Sequence, residues 1–140
     1  MINRYNHYKT LIFIVLLNVF SSILHYVHNV IHFDHYPEPD WLSPQLVDAF
    51  WFVMTPIGIY GLIVAVKSQM TKGRWWLYLY ALMGLLYLYA LMGLLSLLHY
   101  NIETDNIMTV TMHSLIWFQA IFAFWLIAYV TMYFKNKSGH

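Results

Sequence analysis

The chain has 140 residues and no cysteine. That absence excludes disulfides, thiolate metal sites, haem attached through a Cys-x-x-Cys-His motif and cysteine nucleophiles. Charge is also scarce: Asp, Glu, Lys and Arg together make up 9% of the residues, where an ordinary soluble domain carries about 25%. No glycine-rich phosphate loop, G-x-S-x-G elbow or basic patch interleaved with aromatics is present. Phosphate-loop chemistry and the serine-hydrolase elbow are therefore excluded, and so is nucleic acid as a partner.

What remains is 61% hydrophobic and 19% aromatic. Too little polar surface is left to cover a soluble core, so the expected class is an integral membrane protein in contact with the lipid bilayer. Four segments are long and apolar enough to span, at about 10–32, 44–66, 75–100 and 107–134. Arg4 and Lys9 precede the first of these, as in a secretory signal. Its apolar run continues from Leu11 to about Val30 with no small-x-small cleavage site, which reads as a membrane span. In the connection "FDHYPEPDWLSP" the prolines stop the first helix, and Ser43 with Pro44 offers an N-cap and first helical residue for the second.

The charges segregate completely. Arg4, Lys9, Lys67, Lys72, Arg74, Lys135 and Lys137 fall on one side of the four spans. Asp34, Glu38, Asp40, Asp48, Glu103 and Asp105 fall on the other. The positive-inside rule places both termini in the cytoplasm and the acidic loops outside. The expected fold is thus all-α: one membrane domain over 1–140, a four-transmembrane-helix antiparallel bundle. The expected location is a bacterial inner (plasma) membrane, with the acidic loops facing the outside or periplasm. Trp41, Trp51 and Tyr100 would form an outer aromatic belt, and Trp75, Trp76 and Tyr133 an inner one.

Two local features stand out in the later spans. "TPIGIYG" at 55–61 sets Pro56 inside span two beside Gly58 and Gly61, which reads as a static kink that lets helices approach closely. "YLYALMGLL" occurs at 78–86 and again at 87–95. Nine residues turn a helix by about 900°, so Gly84 and Gly93 would face opposite neighbours. The simplest reading is a local duplication; two packing faces would also suit a homo-oligomer or a larger membrane complex.

The chemistry concentrates in "HYVHNVIHFDHYPEP", where four histidines occur within eleven residues. With His25 set at the origin, helical rotation places Asn18 at about +20°, Ser21 at −40°, Ser22 at +60°, His28 at −60°, Asn29 at +40° and His32 at −20°. These seven residues share an arc of about 120°, and Leu16, Phe20, Ile23, Val27 and Ile31 cover the other side. A stripe of this kind must face the bundle interior. At a similar depth the other spans offer Asp48 and Thr55, Ser96 and His99, and Thr109 and His113.

Imidazoles and a carboxylate on facing helices suit a transition metal (Zn, Cu or Fe). The candidate ligands are His25, His28, His32, His99, His113 and Asp48. Asp48 doubles as a candidate base for metal-bound water or as an acceptor that orients an imidazole. Asn18, Asn29, Ser96 and Thr109 would stand behind the ligands. A haem b held by two histidines drawn from His25, His28, His99 and His113 is the alternative. A third reading has no metal: an accessory subunit of a larger membrane complex, its polar stripe bonding within the bundle or relaying protons. The residues alone do not choose between catalysis, redox chemistry and metal handling.

Overall fold

A computed structural model describes residues 4–32, 43–67, 70–89 and 110–138. Within them the chain forms four helices: α1 (Arg4–Ile31), α2 (Pro44–Val66), α3 (Met70–Tyr89) and α4 (Val110–Ser138). α1 packs on α2 and α4, and α3 packs on the same two. The helices thus form a closed ring with α1 diagonal to α3. Three of them are long and apolar enough to cross a membrane, over Asn6–Ile31, Ala49–Val66 and Val110–Tyr133. The second half of the expected third span, including Gly93, lies outside the described residues.

The start of α2 follows from its first residues. Ser43 is extended (φ −129°, ψ 157°) and its hydroxyl accepts from the Leu46 amide at 3.3 Å. Pro44 occupies the first turn, where its missing N–H leaves no bond unmade. Further along, α2 continues through Pro56, which cannot donate to the Phe52 carbonyl.

Glycine sets the spacing of the α2–α3 pair. A Cβ on Gly58 would come within 2.7 Å of the Tyr80 ring, and one on Gly73 within 2.6 Å of the Ala65 backbone. The sequence reading of close packing around Pro56 therefore holds. In the first copy of the repeat, Gly84 lies against Ala123 and Gln119 of α4, with Ala123 Cβ at 3.1 Å from the position of an added Cβ.

Along α1 the usual order of burial is inverted. Asn18 is 4% exposed and His25 3%, whereas Leu16 is 58% exposed and Phe20 54%. Ser21, Ser22 and Asn29 are also buried, while Ile23, Val27 and Ile31 are exposed. Five of the seven residues of the polar arc form the inner face of the helix, and His28 and His32 at its end are half-buried. The bundle's interior changes character along its axis. Leu11, Ile14 and Val15 join Ala65, Leu77, Ala81, Ala123, Leu126 and Val130 in one apolar core, and this lies toward the end that carries the chain's Lys and Arg residues. The polar residues gather toward the opposite end.

Candidate functional site

The site grows from the α1–α4 seam. Asn18 donates through Nδ2 to its own helix at Ile14 O and across the seam to Phe122 O, both at 2.9 Å. One side-chain amide thus ties α1 to the α4 backbone, where leaving a donor unpaired would be costly. The hydroxyls of Ser21 and Ser22 turn back to Asn18 O and Val19 O, the usual resort of serine inside an apolar helix.

Two turns beyond Asn18, His25 reaches α4. Its Nδ1 lies 2.5 Å from Gln119 Oε1. A carbonyl oxygen only accepts, so Nδ1 carries the proton and, in the neutral ring, Nε2 holds the lone pair. The same logic applies at the end of α1, where His32 Nδ1 donates to His28 O at 3.1 Å. The His28 and His32 rings stack, with centroids 4.4 Å apart and planes 20° from parallel. Both are half-buried.

Between the helices lies a cavity of about 40 Å³. Asn18, Ser22, His25 and Asn29 line it from α1, Trp51 and Thr55 from α2, Tyr80 and Gly84 from α3, and Gln119 from α4. Four polar atoms of the lining residues are buried without a hydrogen bond: His25 Nε2, Asn29 Oδ1, Trp51 Nε1 and the Tyr80 hydroxyl. Ser22 lies beside that hydroxyl, but its own proton goes to Val19 O. The indole of Trp51 stacks on Tyr26 with centroids 5.1 Å apart. This residue, expected in the outer belt, turns its N–H toward the interior, while Trp75 and Trp76 remain exposed as belt residues would be.

The other expected site residues fall as follows. His113 is exposed. It sits about 120° around α4 from Gln119, the residue that meets His25. The Asp48 side chain, and Ser96, His99 and Thr109 altogether, lie outside the described residues. Among the described residues no three His, Cys, Asp or Glu side chains converge to hold a metal ion.

Gln119, Tyr80 and the Trp51 indole N–H belong to the site and were not among the residues the sequence singled out. Gln119 had a readable signal, being the lone side-chain amide in the apolar run "SLIWFQAIFAFWLIAYV". Tyr80 had none, because tyrosine recurs throughout its span.

At the opposite end, Tyr129 donates its hydroxyl proton to His7 O at 3.0 Å, and His7 Nδ1 stands 3.1 Å from the same hydroxyl. Since that proton is committed to a carbonyl, Nδ1 is the donor to the phenol oxygen. The pair fastens the start of α1 to the end of α4. Compared with models of protein families, with curated proteins and with solved structures, the chain matches none.

Proposed function

We propose that this chain is an integral membrane bundle, termini cytoplasmic, that presents a hydrated pocket to the outer side for a small, neutral, hydrogen-bonding ligand. Membrane insertion is supported by the inverted α1. Leu16, Phe20 and Ile31 point outward while Asn18, His25 and Asn29 point inward, an arrangement suited to hydrocarbon and unsuited to water. Orientation is supported by the segregation of every Lys and Arg from every Asp and Glu.

The observation that carries the pocket is the convergence of Trp51 Nε1, Tyr80 Oη and Asn29 Oδ1, buried and unbonded, on one cavity. Two donors, the indole and the phenol, with two acceptors, the Asn29 oxygen and His25 Nε2, favour a guest with both kinds of group, and water is the simplest one. Among the described residues, the lining includes no Asp, Glu, Lys or Arg. A charged guest would sit uncompensated in a low dielectric, so the ligand is neutral. The apolar core beneath, from Leu11 to Val130, closes the pocket toward the cytoplasm, which makes it a blind recess and not a conduit.

The absence of cysteine gives a clean test. Ser22→Cys and Thr55→Cys line the cavity, whereas Leu11→Cys and Ala123→Cys sit in the dry core. In oriented vesicles a small water-soluble methanethiosulfonate added outside should modify the first two and spare the second two. Modification of all four, or of Leu11→Cys from the inside, refutes the blind pocket.

The metal reading rests on one observation, the Nε2 lone pair left at His25 by its bond to Gln119, as in metal sites whose histidines donate their other N–H to an oxygen. His99 and Asp48 would complete such a site. Zn, Cu or Fe retained by tag-free protein on elemental analysis and lost in His25→Ala supports it; no retained metal rejects it.

A further inference from the structure

We infer that His28 and His32 form a separate transition-metal site at the outer end of α1, one that takes Cu²⁺ or Zn²⁺ from the aqueous phase. The inference is independent of what the interior pocket holds, because it uses neither His25 nor the cavity. The two residues are four apart on one helix, a spacing that stacks side chains one turn above another. Their rings already lie face to face, 4.4 Å apart at the centroids. Two imidazole nitrogens bonded to one ion at about 2.0–2.1 Å stand about 3.3 Å apart in tetrahedral geometry. An ion lies in the plane of each imidazole it binds, so the His28 ring must turn out of the stack by side-chain rotation until one of its nitrogens and His32 Nε2 converge on the ion.

The second observation is the tautomer. His32 Nδ1 donates to the His28 carbonyl at 3.1 Å, a carbonyl that also receives the His32 amide at 3.1 Å. The bond orients the His32 ring and leaves Nε2 as the ligating nitrogen, the arrangement by which metal-bound histidines are ordinarily held. His28 does not line the interior cavity, and both rings are partly open to solvent. The residues that follow in sequence, 33–42, contain Asp34, Glu38 and Asp40 and no Lys or Arg. Three negative charges following the pair in sequence raise the local concentration of a divalent cation. Two imidazoles select Cu²⁺ most strongly, with Zn²⁺ behind it.

The alternative is that the pair merely caps the helix, histidine in the last turn being favourable to the terminal carbonyls. Titration of tag-free, detergent-purified protein with Cu²⁺, followed by electron paramagnetic resonance, separates the two. A single type-2 signal with hyperfine structure from two nitrogens is expected in the wild-type protein and in His25→Ala. Either His28→Ala or His32→Ala should weaken binding by more than about tenfold. His32→Gln provides a second variant that retains a hydrogen-bonding side chain; with wild-type circular dichroism it should still lose the two-nitrogen signal. Unchanged binding in His28→Ala and His32→Gln overturns the proposal. A signal lost only in His25→Ala also overturns it, and transfers the ion to the interior site.

Discussion

Replacing Gln119 by leucine removes the acceptor of the most deeply placed side-chain bond between α1 and α4 while nearly conserving volume. The direct loss is one interhelical hydrogen bond, worth about 0.6 kcal/mol on average in membrane bundles and at most about 1.7. To this is added the stranding of a buried donor, since the 3%-exposed His25 keeps its Nδ1–H facing an apolar side chain; that costs about 1–3 kcal/mol. The single variant should therefore unfold more readily by about 2–3 kcal/mol. His25→Leu strands the amide of Gln119 in the same way and should cost a comparable amount.

The double variant carries the argument. With His25 and Gln119 both leucine no polar group is orphaned at that contact, and replacing both partners by apolar groups can be nearly neutral. The pair should thus be less destabilised than the sum of the singles by about 4–6 kcal/mol. The assay is reversible unfolding in mixed micelles by titration with a denaturing detergent, followed by far-ultraviolet circular dichroism for all four members of the cycle. Additivity within about 0.5 kcal/mol, the behaviour of independent sites, would refute the His25–Gln119 bond and with it the tautomer assigned to His25.

Three further outcomes follow from packing and topology. Gly73→Ala would bring a methyl within 2.6 Å of the Ala65 backbone, where nothing flexible can yield, and overpacking of this kind should cost about 1–3 kcal/mol in the same unfolding assay; an unchanged midpoint would contradict the α2–α3 spacing. Phe20, 54% exposed, should accept leucine with little effect, whereas Phe20→Lys on the lipid face should impair membrane insertion by up to about 3.5 kcal/mol; equal expression of both variants in the membrane fraction would argue against that face meeting lipid. Ser43→Cys, at the start of α2, should react with an impermeant maleimide added to intact cells, and Ser138→Cys, at the end of α4, only after the membrane is opened. The reverse pattern would invert the orientation and place the pocket on the cytoplasmic side.

Much of this was legible because an apolar environment penalises polar groups severely enough to leave a clear pattern. The start of α2 at Pro44 was readable from Ser43-Pro44, since cap and proline chemistry are local. The inner face of α1 was readable from periodicity alone, since Asn18, Ser21, Ser22, His25 and Asn29 share one arc and all are buried. What periodicity could not supply is which residue of another helix meets that arc. Depth counting put His113 near His25, but depth fixes only one coordinate of two; rotation about α4 turns His113 outward and brings Gln119 in. The same ambiguity hid Tyr80, which meets the cavity because Gly58 lets α2 and α3 close on its ring. Histidine drew attention in the sequence because it can ligate metal, yet among the described residues the interior pocket joins a single histidine, His25, to groups that only hydrogen-bond: a phenol, an indole and side-chain amides. That composition underlies the proposed preference of the recess for a neutral guest, and the imidazoles of His28 and His32 are the pair proposed to take an ion from the aqueous phase.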